Sequence, residues 1–168
     1  MEGAILENER IKDFILGGQS HFTVIGDSHR FTYYVMQPKF NGKLSDTRRF
    51  VKVMDTRRGN DMTYIGLLKL ENGIWNYEFR VPDKIKDLNL VTVFNTSSIE
   101  VVAFSYMWNL LKYGSYDPRI EVWHKGLCAC CGRPLTTPQS MLIGWGPVCW
   151  KRLKEQEVSE TQEVFEAR

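Results

Sequence analysis

Alternating apolar and polar positions between residues 20 and 80 predict strands. Phe31, Tyr33 and Val35 occupy every second position, which is the period of a strand that buries one face. Asn72-Gly73 lies between two apolar runs and is the pattern of a two-residue hairpin turn. The predicted strands are residues 21–25, 31–36, 49–54, 63–70 and 74–81. Together they predict a small antiparallel sheet that is strongly curled or barrel-like.

A longer helix is predicted at 98–113, where apolar residues repeat with helical period. Ser97 and Glu100 have the spacing of a capping box, and Gly114 ends the helix. The main apolar stripe is expected to cover one face of the sheet, and it comprises Ile99, Val102, Ala103, Tyr106, Met107, Leu110 and Leu111. A second apolar side comprises Val101, Phe104 and Trp108. This side either packs on the C-terminal module, which we expect, or forms a partner surface.

The two ends of the chain also predict helices. Residues 5–16 place Ile11, Phe14 and Ile15 on one face, and Gly17-Gly18 ends this segment. Residues 151–168 are polar and contain five glutamates. They are predicted to continue as a helix from the preceding module and to fray toward the end.

Composition places the chain among ordinary globular proteins. It has 168 residues, of which 43% are hydrophobic and 25% charged, with a net charge of +2 and a pI near 8.3. This charge is too small to indicate a nucleic-acid partner by itself. The N-terminus lacks the pattern of a secretory signal, and no apolar run approaches the roughly 20 residues that cross a bilayer. These features predict a cytoplasmic protein.

All four cysteines fall between residues 128 and 149, which indicates reduced, metal-bound thiols rather than a disulfide framework. Cys128 and Cys131 have the Cys-x2-Cys spacing of a metal knuckle, and Cys149 returns after a loop rich in glycine and proline. We predict a zinc ion bound by these three thiols and by His124. Cys130 is expected to point away from the metal and is the alternative fourth ligand.

The zinc is predicted to be structural. A catalytic zinc keeps an open coordination position and usually has a general base nearby, and the His-Glu-x-x-His motif is absent. His21 and His29 lack an obvious serine or cysteine partner, so the sequence predicts no nucleophilic centre. An enzymatic activity is therefore not expected.

The segment from Cys128 to Cys149 resembles a small zinc-binding domain of unknown function that is common in bacteriophages and actinobacteria. The shared pattern is Cys-x2-Cys-Gly-Arg-x-Leu-Thr-x-Pro-x-Ser, followed by Gly-x-Gly-Pro-x-Cys, often with an upstream histidine that His124 matches here. Trp145 stands where a small aliphatic residue is usual. In many such proteins a β-rich segment and a helix precede the zinc module. The resemblance implies a phage or mobile-element protein in a bacterial cytoplasm and supplies no activity.

A basic stretch supports a nucleic-acid partner. Its candidate contacts are Arg48, Arg49, Lys52, Arg57 and Arg58, with Arg133 from the zinc module. Tyr33, Tyr34, Trp75, Tyr77 and Phe79 lie on strands that could neighbour it. A basic curled sheet with aromatic residues is the kind of surface that stacks bases and contacts phosphates. The alternative is a solvated strand edge, whose charges prevent edge-to-edge pairing.

The sequence thus predicts an α+β protein with a curled antiparallel sheet, a helix across it and a C-terminal zinc-knuckle module. The predicted division is 1–117, 118–153 and a polar tail at 154–168. Two functions are open. The expected one is a non-catalytic protein that binds a host protein, for example to inhibit a host enzyme or defence system, with Trp145, Trp108 and Phe104 as candidate anchors. The other is a nucleic-acid-binding accessory protein.

Overall fold

The protein has an α+β fold built on a curled antiparallel sheet. The structure is a computed structural model that describes residues 3–81 and 94–166. The six strands of the main sheet lie in the order β7-β6-β5-β2-β1-β8. Their bounds are Gln19–Ile25 (β1), Arg30–Met36 (β2), Arg48–Asp55 (β5), Asp61–Glu71 (β6), Ile74–Phe79 (β7) and Glu121–His124 (β8). The predicted fold class and the five predicted strands are confirmed.

Tight turns with left-handed residues connect the strands. The predicted hairpin between β6 and β7 turns at Asn72 and Gly73, whose φ angles are 52° and 78°. Positive φ at both central residues is what a type I′ turn requires. A second, unpredicted hairpin joins the short strands Lys39–Phe40 (β3) and Lys43–Leu44 (β4) through Asn41 and Gly42, with the same pair of φ angles.

Two helices pack on one face of the sheet. Helix α1 (Asn8–Ile15) buries Ile11, Phe14 and Ile15, as its apolar spacing predicts. Helix α2 (Ile99–Leu111) lies near β7 and completes the core. The core residues from the strands include Phe22, Tyr33, Val35, Val51, Val53, Ile65, Leu68 and Val122. The opposite side of the sheet, which we call the open face, carries the alternate residues of the same strands.

The face that α2 turns to the sheet differs from the predicted one. Its buried residues are Val101, Phe104, Met107, Trp108 and Leu111, whereas Ile99, Val102 and Tyr106 of the predicted stripe are exposed. The Phe104 ring packs against the rings of Tyr33 and Tyr77. The indole Nε1 of Trp108 donates to the carbonyl of Trp75 at 2.7 Å. The side expected to meet the zinc module is therefore the side that covers the sheet.

The start of α2 also differs from its prediction. Ser98 is the N-terminal cap residue, one position after the predicted Ser97, and its side chain makes no capping hydrogen bond to the helix. The Ser98 hydroxyl instead accepts from the Asn95 N–H, and the Asn95 side chain accepts from the Ser97 N–H. A compact polar turn before the helix thus takes the place of the capping box.

The C-terminal region begins within the sheet. Strand β8 lies in the range predicted for the zinc module, yet it pairs antiparallel with β1 from Phe22 opposite His124 to Ile25 opposite Glu121. Two helices follow, at Pro138–Ile143 (α3) and Pro147–Glu166 (α4). The second confirms the predicted helix in the polar tail. No helix in residues 3–81 and 94–166 is long and apolar enough to span a membrane.

Candidate functional site

The loop around Cys128 forms a short knuckle whose shape is fixed by backbone hydrogen bonds. The Cys128 N–H donates to the Arg133 carbonyl at 2.8 Å, and the Gly132 N–H donates to the Cys128 carbonyl at 3.0 Å. Gly132 has a φ of +72°, a conformation that favours glycine. These bonds turn the chain within four residues, so the side chains of Cys128 and Cys131 can reach one point.

Three thiols converge there. The Sγ atoms of Cys128, Cys131 and Cys149 all lie within 4.8 Å of one another. Tetrahedral zinc with bonds of about 2.3 Å places its sulfur ligands roughly 3.8 Å apart, so a small closure of this cluster suffices for a metal ion. Cys149 reaches the knuckle from the first turn of α4, which begins at Pro147. The three residues therefore fit the donor set of a soft divalent metal.

The surroundings of Cys128 favour a thiolate. Burial disfavours the charged form, but N–H groups of Cys131, Gly146 and Cys130 approach the sulfur and lower the pKa of Cys128 overall. The Gly146 N–H donates to this sulfur at 3.2 Å. By contrast, burial and then the charge of Cys128 raise the pKa of Cys149. Adjacent thiolates repel one another, and a bound cation removes that repulsion.

The two candidate fourth ligands, His124 and Cys130, have different surroundings. His124 is 1% exposed, and its Nδ1 accepts from the Gly126 N–H at 2.9 Å while its Nε2 lies at 2.5 Å from the Met141 carbonyl. Both ring nitrogens are thus engaged by the backbone. Burial raises the pKa of Cys130 and the nearby Cys149 thiol opposes this, but the Cys130 sulfur is not among the three that lie within 4.8 Å of one another. Cys130 is therefore beside the thiol cluster.

The knuckle docks on the turn between α1 and β1. The Gln19 N–H donates to the Ala129 carbonyl at 2.7 Å. A Cβ atom at Gly17 would lie 2.7 Å from both the side chain and the carbonyl oxygen of Ala129, which is 0% exposed. Gly17 therefore does more than end α1. Because it has no side chain, the knuckle can pack directly against the turn between α1 and β1.

Replacing Gly17 by alanine is expected to destabilise the protein by about 1–3 kcal/mol, since the added methyl group forces the knuckle away from α1. Denaturant unfolding of the zinc-loaded protein measures this change. Gly26→Ala is the matched control, because a Cβ atom at Gly26 meets nothing within 4 Å. Equal stability of the two variants would contradict this account of the docking.

Three of the six predicted phosphate contacts are engaged within the protein. The Arg49 guanidinium donates to the carbonyls of Leu16 and Ser45 and lies over the Trp75 ring, so its assignment as a nucleic-acid contact is corrected. Arg57 is paired at 3.1 Å with Asp55, which is 2% exposed, and Arg58 lies 4.0 Å from the same carboxylate. This buried acid offsets one of their two positive charges. Arg48 and Lys52 lie on the open face, and Arg133 is exposed on the knuckle.

The three predicted partner anchors are buried, which corrects that assignment. Phe104 and Trp108 are 0% exposed and pack between α2 and the sheet, while Trp145 is 6% exposed. Trp145 contacts the ring of Trp150 at a centroid distance of 6.2 Å. None of the three offers a surface to a partner.

The open face combines the predicted Lys52 and Tyr34 with two residues that were not predicted to lie there, His21 and Tyr64. One row runs across four strands, since His21 pairs with Tyr34, Tyr34 with Lys52, and Lys52 with Tyr64. The rings of His21 and Tyr34 are stacked at 4.1 Å and 10°. Burial lowers the pKa of His21, so this ring is neutral at neutral pH. Pairing between distant strands creates the row, and no local pattern reveals it.

A cleft of about 470 Å³ lies beside this row, at the β1–β8 edge of the sheet. Its wall includes the indole of Trp123, which is 37% exposed, and the cations Arg30 and Lys125. Trp123 pairs with Thr23 across the strands, which places it on the open face. The Trp123 Nε1 donates to the Glu121 carboxylate at 3.0 Å, and this bond fixes the ring. A volume of this size is in the range of small-molecule sites, about 300–1,000 Å³.

Residues 123–154 match a family described as a family of unknown function (DUF6011). No curated protein and no solved structure matches the chain. The matched range contains all four cysteines and His124. The match thus lies in the same part of the chain as the resemblance described from the sequence. It indicates no activity, and the phage origin stays a prediction.

Proposed function

We propose that the protein is a non-catalytic binding protein whose C-terminal module is held together by a structural zinc ion. The observation that carries this proposal is the convergence of the Cys128, Cys131 and Cys149 sulfurs within 4.8 Å. Cys149 follows Cys131 by 18 positions, so the knuckle and the start of α4 need a contact that holds them together. A metal ion bound by thiolates supplies the cross-link that such a small module needs.

Cys130 is the proposed fourth ligand. Its sulfur lies near Cys149 but outside the group of three, so its side chain would have to turn toward the metal, whereas His124 would have to give up its hydrogen bond with Gly126 to bind a metal through Nδ1. Four cysteine ligands would form a closed tetrahedral site, as structural zinc sites do. His124 then stabilises the entry to the knuckle by its two backbone contacts.

Zinc analysis of two variants tests this ligand set. Wild-type protein is expected to contain one zinc per chain, His124→Gln to retain it, and Cys130→Ser to bind it at least tenfold more weakly. Competition with a chromophoric chelator measures the affinities. Full zinc affinity in Cys130→Ser, together with its loss in His124→Gln, would restore the histidine ligand. Absence of zinc from the wild-type protein would contradict the proposal as a whole.

The partner expected from the resemblance, a host protein in a bacterial cytoplasm, remains a prediction. Its three proposed anchors are buried, so a protein partner would have to use other surfaces. The nucleic-acid alternative keeps Arg48, Lys52 and Arg133 at the surface. The open face therefore favours the alternative.

A further inference from the structure

We infer that the open face of the sheet binds single-stranded nucleic acid, with bases stacked on Trp123 and on the His21–Tyr34 pair and phosphates held by Arg30, Lys125, Lys52 and Arg48. This inference concerns the partner of the proposed binding protein. It rests on the sheet and not on the zinc ligands, so the two proposals can fail separately.

The first support is charge. Arg30, Arg48 and Lys125 are exposed, and Lys52 lies 6.0 Å from the centre of the Tyr34 ring. None of these four cations forms an ion pair within the described parts of the chain. This distinguishes them from Arg57 and Arg58, which meet the buried Asp55.

The acids on the open face are already engaged. Glu78 pairs with Arg80, Glu71 pairs with Lys69, and Glu121 accepts from the Trp123 indole. The unpaired charge on this face is thus positive, although the net charge of the chain is only +2. Phosphates are the anions that such a row of separated cations fits, because each cation can neutralise one of them.

The second support is the position of the aromatic rings. The stacked pair of His21 and Tyr34 lies between the cleft at Trp123 and the Phe50–Tyr64 pair, whose centroids are 5.6 Å apart. Rings that are half-buried in a sheet are fixed in orientation, so little entropy is lost when a base stacks on them. An aromatic platform with cations beside it is the combination that single-strand-binding proteins use.

The aromatic rings also favour single-stranded over double-stranded nucleic acid. Stacking on a side chain needs an unpaired base with a free face, and base pairing in a duplex hides those faces. The cleft at Trp123 can admit one such base, because about 470 Å³ is enough for a base and its sugar. A duplex could contact only the cations.

Fluorescence anisotropy of the zinc-loaded, full-length protein with labelled dT20, rU20 and a 20-base-pair duplex tests the inference. Either single strand is expected to bind at least tenfold more tightly than the duplex. With four phosphate contacts, the log–log dependence of affinity on salt is expected to have a slope of about −2.8. Lys125→Gln should reduce this slope by about 0.7, whereas Lys151→Gln, on the exposed side of α4, should leave it unchanged.

Stacking is tested separately from charge. Trp123→Ala is expected to weaken single-strand binding about tenfold or more, and Trp123→Phe to restore much of it. Tyr113→Ala is the matched control, since Tyr113 is an aromatic residue 68% exposed at the end of α2, away from the open face. Thermal melting and zinc content verify that each variant is folded, and Lys125→Gln keeps the test valid if Trp123→Ala does not fold.

Three results would overturn the inference. The first is no binding to dT20 or rU20 at low salt. The second is binding to the duplex that equals or exceeds binding to the single strands. The third is an equal effect of Trp123→Ala and Tyr113→Ala on single-strand binding. Retention of a protein partner from bacterial lysate after nuclease treatment, with its loss in Lys125→Gln, would also overturn it in favour of a protein at this face. A wild-type protein that lacks zinc but binds dT20 would contradict only the proposed function.

Discussion

Replacing Cys149 by serine is expected to abolish zinc binding and to unfold the C-terminal module while the sheet stays folded. Serine does not ionise in the physiological range and is a poor ligand for a soft metal ion. Apparent binding energies of structural zinc in small modules are about 10–16 kcal/mol, which exceeds any other single contribution in the knuckle. The module buries few apolar side chains of its own, chiefly Ala129, Leu135 and Trp145. Without the metal, few contacts remain to keep the C-terminal module folded.

Metal analysis and hydrogen exchange measure this result. The Cys149→Ser protein should contain less than a tenth of a zinc ion per chain, and amides of residues 126–150 should lose protection while those of β2, β5 and β6 keep it. A chelator should produce the same pattern in the wild-type protein. Val148→Ala is the control, because Val148 is adjacent to Cys149 on α4 and 62% exposed. Stoichiometric zinc in Cys149→Ser, or loss of protection throughout the sheet, would contradict the structural role.

The strands could be predicted from the sequence because alternation and turn chemistry agree there. Tyr33 and Val35 are buried and alternate with partly exposed neighbours in β2, and Asn72-Gly73 fixes the register of the hairpin between β6 and β7. The hairpin at Asn41-Gly42 has the same turn residues but strands of only two residues. Such short strands contain no alternation, so only the turn could have revealed it.

The face of α2 could not be predicted because the helix is apolar on nearly every side. The spacing of Val102 and Tyr106 is as regular as that of Phe104 and Trp108, so periodicity does not choose between them. Which face of α2 is buried depends on its contacts with the sheet. Aromatic rings fill the space beside Tyr33 and Tyr77, and the Trp108 indole finds a carbonyl acceptor at Trp75. These are contacts between residues more than 25 positions apart in the chain.

The candidate metal site and the open face could likewise be predicted only where they depend on residues close together in sequence. Cysteine spacing is local and predicted the three converging thiols, since a knuckle is built from adjacent residues. His124 was predicted as a ligand because it lies four residues before Cys128, and pairing with Phe22 places it on the outer strand β8, where both ring nitrogens meet backbone groups. The open face is likewise a product of pairing, because Lys125 and Lys52 are 73 positions apart in the chain. Only the strand order places them on one surface.

Replacing Trp145 by alanine is expected to lower the free energy of unfolding by about 3–5 kcal/mol, the usual cost of removing a large buried aromatic side chain. Trp145 follows Gly144, where an added Cβ atom would lie 2.7 Å from the Phe14 ring of α1. It precedes Gly146, whose N–H donates to the Cys128 sulfur. The indole belongs to the buried cluster that includes Phe14 and packs against the Trp150 ring, so its loss leaves a cavity in that cluster.

Denaturant unfolding of zinc-loaded Trp145→Ala and Trp145→Phe measures this effect. The phenylalanine variant should recover part of the loss, because its ring fills part of the cavity. Leu142→Ala is the matched control in the same segment, since Leu142 is 51% exposed and its truncation should cost less than about 0.5 kcal/mol. If Trp145→Ala were as stable as this control, the indole would not be part of the core. Trp145 would then be free to anchor a partner, and the host-protein prediction would regain one of its three residues.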